Sequence, residues 1–163
     1  MNQQPPRFRR PQLIISGGQT GVDRAALDAA NALGITHGGW CPAGRRAEDG
    51  RIPEHYRLRE TDSPDYAVRT RRNVDDADAT LIISPPPLSG GTALTHDYAV
   101  QVGRSCLVID PEDTSAVAKA RAWLAQLPAA SSGDYTLNIA GPRESQVPGI
   151  GDAARRLVLA ILE

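Results

Sequence analysis

The sequence lacks an excess of charge of either sign. Its 163 residues include 18 lysines and arginines against 19 aspartates and glutamates, which leaves a formal net charge of −1. A chain so balanced has no overall attraction for nucleic acid or for an anionic membrane. Any site for an anion must therefore be local, and we expect neither nucleic-acid nor membrane partners.

Long apolar runs and paired cysteines are missing as well. No stretch approaches the roughly 20 apolar residues of a transmembrane helix, and residues 1–10 are polar with no signal-like apolar segment behind them, so we expect a cytoplasmic location. Cys41 and Cys106 are far apart in sequence and form neither a C-x-x-C redox pair nor a zinc knuckle. We expect two reduced thiols.

The usual motifs of metal-dependent and covalent catalysis are also missing. His37, His55 and His96 show neither H-x-x-x-H nor H-x-H spacing, there is no G-x-S-x-G elbow, and neither cysteine has an obvious histidine partner. We therefore expect no metal ligated by the protein and no covalent hydrolase chemistry. The sequence indicates binding more clearly than catalysis.

What the sequence does contain is a regular alternation of short apolar runs and helical stretches. The apolar runs predict strands at residues 13–15, 36–40, 79–83, 106–109 and 135–140, and the periodicity predicts helices at residues 22–33, 65–76, 93–102, 114–127 and 152–162.

Alternating strands and helices, with most strands continuously apolar, predict a mainly parallel sheet covered on both faces. The fold class is therefore α/β: a doubly wound, Rossmann-like, three-layer α/β/α single domain. We expect this domain to span residues 12–163 behind a flexible N-terminal tail at residues 1–11, with a long loop at residues 41–62.

Two glycine-rich loops follow predicted strands and precede predicted helices. The first is Ser16-Gly17-Gly18-Gln19-Thr20-Gly21, followed by Asp23 and Arg24, and the second is Ser89-Gly90-Gly91-Thr92. Glycines permit close backbone approach, and the free N–H groups and dipole of a helix start attract an anion. Neither loop has the spacing of a dinucleotide fingerprint or the lysine of a P-loop.

In a doubly wound sheet, loops that follow the strands open onto one edge. We therefore predict that both glycine loops form one pocket for a phosphorylated small molecule. The alternative for the first loop is a tight structural turn.

Three further features are candidates for the same pocket, each with a plainer alternative. Trp40 with Arg45 and Arg46 suits stacking and phosphate contact in a lid or rim, unless this is a solvated loop with Trp40 in the core. Arg69 is either a pocket cation or an ordinary surface residue. Asp97 is either a base or ribose-binding carboxylate or an exposed helical aspartate.

Several blocks in order along the chain resemble those of one known family. They read SGGQTGVDRAAL at 16–27, HGGWCP at 37–42, GRRAEDG at 44–50, RT and NV within 69–74, GGTALT at 90–95, and NIAGPRES at 138–145. They are similar to the blocks of the molybdenum carrier family, the molybdenum cofactor carrier proteins. The match covers nearly the whole chain from Leu13 onward.

The resemblance implies a Rossmann-like homo-oligomer that binds molybdenum cofactor, protects it and passes it to molybdoenzymes without turnover of its own. A pterin with a terminal phosphate and an anionic molybdenum-dithiolene head needs an anion cradle at each end, which the two glycine loops with Arg24 and Arg45 or Arg46 would supply. The dithiolene already holds the metal, so no tight protein ligand is required.

The family is more distantly similar to the cytokinin-activating phosphoribohydrolases once labelled lysine decarboxylases, whose loop reads P-G-G-x-G-T-x-x-E. This sequence departs from that pattern at Ser89, Ala93, Leu94 and Asp97. Hydrolysis of nucleoside 5′-monophosphates, with Arg69 and Asp97 as catalytic candidates, is the enzyme alternative. A module that senses a nucleotide without hydrolysing it is the third hypothesis.

Overall fold

The structure of the protein, a computed structural model, describes residues 8–128 and 133–163. Within these residues the strands of the central sheet are β1 (Leu13–Ile15), β2 (Thr36–Gly38), β7 (Ala79–Ile83), β8 (Ser105–Ile109) and β9 (Thr136–Ala140). Two short pairs lie outside this sheet: β3 (Trp40–Cys41) with β6 (Arg59–Glu60), and β4 (Arg46–Ala47) with β5 (Gly50–Arg51). The central sheet has the order β2-β1-β9-β7-β8, and every neighbouring pair is parallel.

The helices of the described residues are α1 (Val22–Leu33), α2 (Tyr66–Asp76), α3 (Gly90–Gln101), α4 (Ala116–Ala125) and α5 (Ile150–Leu162). On one face of the sheet α1 packs against α5 and α5 against α4, and on the other α2 packs against α3. The predicted Rossmann-like three-layer fold is therefore confirmed. No helix within the described ranges is long and apolar enough to cross a membrane.

Local sequence explains most of these elements. Strand β7 is buried along its whole length, as a parallel strand covered on both faces must be. Helix α1 turns its alanines to the core and ends at Gly34, whose left-handed φ of 69° closes the helix. Helix α2 begins where the Asp65 carboxylate accepts a 2.9 Å hydrogen bond from the Ala67 N–H.

The predicted strand at residues 36–40 is wrong at its end. Gly39 has a φ of 125°, and a Cβ there would lie 2.2 Å from the Ser16 carbonyl oxygen. The chain therefore turns at Gly39, and Trp40 leaves the central sheet to pair with Arg59 in β6. The strand ends here because of steric contact with a loop that is distant in sequence. The hydropathy pattern of residues 36–40 therefore could not predict this end.

The predicted long loop at residues 41–62 is also wrong, because this segment is folded. It contains β4, β5, β6 and part of β3, and it has a small apolar core of its own. In that core Cys41, Ile52 and Tyr56 pack against Leu27 of α1. The Tyr56 hydroxyl donates to Asp28 at 2.8 Å, and burial together with this bond raises the pKa of Tyr56 to about 12.

The N-terminal segment contacts the domain where the structure describes it. Phe8 packs beside the main core, and the Arg9 carbonyl accepts a 2.6 Å hydrogen bond from the Tyr135 hydroxyl. Residues 1–7 of the expected tail lie outside the described residues. The boundary of the tail at residue 11 stays a prediction.

The last strand of the chain, β9, lies in the middle of the sheet between β1 and β7. Gly141 follows it directly, and a Cβ at this position would lie 2.3 Å from the Ile83 carbonyl oxygen and 2.6 Å from the Val22 side chain. The position therefore requires glycine, because any side chain there would collide with both neighbours.

We expect Gly141→Ala to lower the free energy of unfolding by about 1–3 kcal/mol, because the added methyl group overpacks a backbone contact that cannot move alone. Gly91→Ala is the matched control, since nothing lies within 4 Å of a Cβ there. Urea unfolding of the two variants measures the difference. Equal stability would show that the chain after β9 is less tightly packed than the structure indicates.

Candidate functional site

A crevice lies at the carboxyl ends of the central strands, where the sheet changes winding direction. The end of β9 contributes Ala140, and the loops after β1 and β9 contribute Gln19, Gly141, Arg143 and Gln146. The start of α1 contributes Asp23, and α2 and α3 contribute Tyr66, Ala67, Arg69, Thr70, Gly91, Thr92, Leu94 and Thr95. Ligands of open α/β sheets bind at such a switch point. We call this the central crevice.

The second glycine loop presents an open helix start to the central crevice. Gly91 and Thr92 lie in the first turn of α3, and the Ser89 side chain makes no capping hydrogen bond. A Cβ at Gly91 would meet nothing within 4 Å. The first N–H groups of a helix have no partner within it and lie at the positive end of its dipole. This arrangement suits an anion such as a phosphate.

Arg69 is the buried cation of the central crevice. Its Nη1 donates to the Asp23 carboxylate at 2.8 Å, with the two side chains only 13% and 5% exposed. Among the described residues, the Arg69 Nε–H is a buried donor with no acceptor. A buried unsatisfied donor costs free energy, and a water or ligand oxygen that reached this N–H would relieve that cost.

The first glycine loop is mostly closed by its own contacts. The Ser16 hydroxyl donates to the Ile139 carbonyl at 2.7 Å, the Gln19 N–H to Asp23 at 3.2 Å, and the Thr20 N–H to the Gln19 side chain at 3.1 Å. A Cβ at Gly21 would lie 2.4 Å from the Pro142 carbonyl oxygen. Gly21 therefore allows close packing, and the loop reaches the central crevice through Gln19.

Gly17 and Gly18 are required by the same kind of packing. A Cβ at Gly17 would lie 1.5 Å from the Arg69 guanidinium, and one at Gly18 would lie 2.5 Å from Leu58. Gly17 thus leaves the space in which Arg69 reaches Asp23.

Two of the arginines proposed for the pocket have other partners. Arg24 forms a two-pronged pair with Asp49, at 2.5 and 2.7 Å, and also donates to the Gly18 carbonyl. The buried Arg45 donates to the carbonyls of Ile52, Pro53 and Tyr56. Arg45 therefore holds the 41–62 segment together, and neither arginine lines the central crevice.

Trp40 and Asp97 also lie away from the central crevice. Trp40 donates through its indole N–H to Asp76 at 2.7 Å, and the guanidinium groups of Arg72 and Arg59 lie 4.6 and 5.6 Å from its ring. Trp40 lines a separate cavity of about 280 Å³. The Asp97 side chain is 78% exposed, and within the described residues its polar contact is with the neighbouring His96.

Arg143, Gln146 and Tyr66 line the central crevice but were not predicted as site residues. Arg143 follows β9 as the two glycine loops follow β1 and β7. The position of residues 138–145 after a predicted strand was the signal that could have identified Arg143. Nothing local marks Gln146 or Tyr66.

The central crevice is small. Its cavity volume is about 100 Å³. Pockets that enclose small molecules measure roughly 300–1,000 Å³. The central crevice therefore accommodates a group the size of a phosphate, and a larger ligand must extend beyond it.

The pair of Asp23 and Arg69 should be strongly coupled. We expect Arg69→Met to cost about 3 kcal/mol of stability, because it leaves a buried carboxylate with the Gln19 N–H as its remaining partner. The double variant Arg69→Met with Asp23→Asn should lose less than the sum of the two single losses. Urea unfolding of all four proteins gives the coupling free energy.

The exposed pair of Arg51 and Glu54 serves as the control for this cycle. Arg51→Met should leave stability unchanged, since exposed pairs contribute little. Additive losses for Arg69 and Asp23 would contradict the assignment of a buried ion pair.

The chain is similar to a protein of known crystal structure. That structure, at 1.45 Å resolution, is from Syntrophus aciditrophicus SB and is named "Putative molybdenum carrier protein". The two chains are 45% identical, the match covers 96% of this chain and 98% of the other, and the TM-score is 0.87. This similarity confirms the resemblance to the molybdenum carrier family. Among curated proteins, none matches the chain significantly.

The strand order has a simple relation to the Rossmann fold. If β9 and α5 stood at the beginning of the chain, the order β2-β1-β9-β7-β8 would become 3-2-1-4-5, the arrangement of dinucleotide-binding domains. The chain thus has this fold with its first unit moved to the end. A family model described as circularly permutated YpsA SLOG matches residues 14–162, and the chain belongs to the circularly permutated YpsA SLOG family.

Proposed function

We propose that this protein binds molybdenum cofactor in the central crevice and carries it without chemical turnover. The observation behind the proposal is the convergence of three anion-binding features on one crevice: the open start of α3, the orphaned N–H of Arg69, and Arg143. The name of the similar structure from Syntrophus aciditrophicus supports the identity of the ligand.

The terminal phosphate of the cofactor would bind at the first turn of α3. There the backbone N–H groups of Gly91 and Thr92 are the donors, and the helix dipole adds a favourable field. Arg69 and Arg143 line the same space and would add charge-assisted hydrogen bonds. Charge-assisted bonds contribute about 1.5–3 kcal/mol each, so this end of the cofactor would supply much of its affinity.

The rest of the cofactor would lie outside the small cavity. The cavity of about 100 Å³ suits the phosphate, and the pterin and the molybdenum-dithiolene head would extend beyond it toward solvent. Tyr66 and Gln146 line the crevice, and the Gln146 side chain would offer an amide to the pterin. The chain needs no ligand to the metal in this arrangement, because the dithiolene holds it.

The proposal includes assembly of several copies and delivery of the cofactor to molybdoenzymes. Val100, Val102 and Val108 are large apolar residues with exposed side chains, near the end of α3 and on β8, at the open edge of the sheet. Exposed apolar groups beside an unpaired strand favour association. Sedimentation of the wild type and of Val108→Lys measures this assembly.

The decisive experiment titrates the purified protein with molybdenum cofactor and, in parallel, with a panel of nucleoside 5′-monophosphates. Saturable binding of the cofactor that slows its oxidation, with no base released from the nucleotides, would support the carrier. Release of base would instead show a phosphoribohydrolase. Tight nucleotide binding without base release or cofactor binding would indicate a nucleotide sensor.

Substitution of Gly91 tests the position of the phosphate. Gly91→Asp places a carboxylate at a helix start, where it favours folding but repels an anion from the crevice. Gly91→Asn has the same size without the charge and is the matched control. We expect the aspartate variant to bind the cofactor at least about tenfold more weakly than the asparagine variant. Equal affinity of the two variants in fluorescence titrations would indicate that the phosphate binds in another part of the crevice.

A further inference from the structure

The carboxylate of Glu48 sits in a cradle of hydrogen-bond donors beside the central crevice. It accepts from the Thr20 hydroxyl, from the Ser145 N–H at 3.2 Å and from the Ser145 hydroxyl at 2.5 Å. The Arg143 Nε lies 3.9 Å from it. These bonds to Ser145 and Thr20 hold the pKa of Glu48 below its usual value. We call Thr20, Arg143 and Ser145 the Glu48 cradle.

The cradle has a donor set suited to an oxyanion. The Thr20 hydroxyl oxygen accepts from the Glu144 N–H at 3.2 Å, which leaves its proton directed to Glu48. Two hydroxyls, one backbone N–H and one guanidinium then face a single carboxylate. A tetrahedral oxyanion such as a phosphate carries more charge and more acceptor oxygens than a carboxylate, so it would use the same donors more fully.

The cradle also joins the central crevice. Arg143 lines that crevice and approaches Glu48 at the same time. The loops that supply Thr20 and Ser145 follow the neighbouring strands β1 and β9. An anion in the cradle would therefore lie beside the ligand site and share Arg143 with it.

The hairpin that presents Glu48 is small. It is formed by β4 and β5, each of two residues, and Ala47 is its buried apolar residue. Taken as a whole residue Glu48 is exposed, but its side chain is only 20% exposed. Besides the Glu48 carboxylate, the Glu48 N–H bond to Gln19 and the pair of Arg24 and Asp49 fasten the hairpin. Such a small element opens at modest cost.

We propose that the Glu48 cradle is a second oxyanion subsite, occupied by the protein's own carboxylate, which a phosphate group must displace in order to bind in the cradle. The inference rests on the proposed function in placing a phosphorylated ligand at this edge of the sheet. Glu48 lowers affinity for the ligand and releases the β4–β5 hairpin and Arg143 when it is displaced.

Glu48→Gln tests the proposal, with inorganic phosphate as the probe in calorimetric titrations. Removing the competing charge should tighten phosphate binding by about tenfold, since a charged acceptor binds these donors more strongly than a neutral amide. Ser145→Ala added to Glu48→Gln should reverse this gain. Glu54→Gln is the matched control, because it makes the same replacement at a side chain that is 74% exposed and should leave affinity unchanged.

Limited trypsin cleavage provides a second measurement on the wild-type protein. Arg46 and Arg51 lie in the two strands of the hairpin, so displacement of Glu48 should expose both bonds. We expect phosphate to accelerate cleavage there, and chloride at equal ionic strength to leave it unchanged. Equal or weaker phosphate binding in Glu48→Gln, or cleavage that phosphate does not change, would overturn the proposal.

The two proposals fail in different ways. Tighter phosphate binding in Glu48→Gln together with no binding of molybdenum cofactor by any variant would support the subsite and refute the carrier function. Equal binding of cofactor and of phosphate by the wild type and Glu48→Gln would support the carrier function and refute the subsite.

Discussion

Strand β9 is hydrogen-bonded to β1 on one side and to β7 on the other, and the site depends on this insertion. The chain leaving β9 must pass between the loops of both neighbours, so Gly141 packs against the Ile83 carbonyl and the Pro142 carbonyl accepts from the Val22 N–H. This passage places Arg143 in the central crevice and Ser145 in the Glu48 cradle. A shift of the last strand would move both.

The charges around the crevice are largely neutralised by one another. Arg69 pairs with Asp23, and Glu48 lies in its cradle near Arg143. Paired charges are held in position and partly desolvated before a ligand arrives, and a ligand must compete with them. The open start of α3 differs, because its N-cap residue Ser89 makes no side-chain capping hydrogen bond. A phosphorylated ligand would thus meet one open anion site and one occupied by the protein.

Much of the fold could be predicted from local sequence. The alanine face of α1 and its end at Gly34 depend on residues close in the chain, and the helix was predicted with its bounds. The turn at Gly39 could not be predicted, because its cause is the distant Ser16 carbonyl. The folded 41–62 segment depends on Leu27 and on the carbonyls that Arg45 contacts, and hydropathy shows neither.

By itself the sequence determined the class of fold, the two glycine loops and the family, because periodicity and motifs are properties of neighbouring residues. Only the tertiary structure decided which of these residues share a site. It separated Arg45 and Asp97 from the central crevice and brought Arg143 into it. Glu48 meets Thr20 and Ser145 of its cradle from a separate segment of the chain. Such contacts arise from the packing of loops at one edge of the sheet, and spacing along the chain does not encode them.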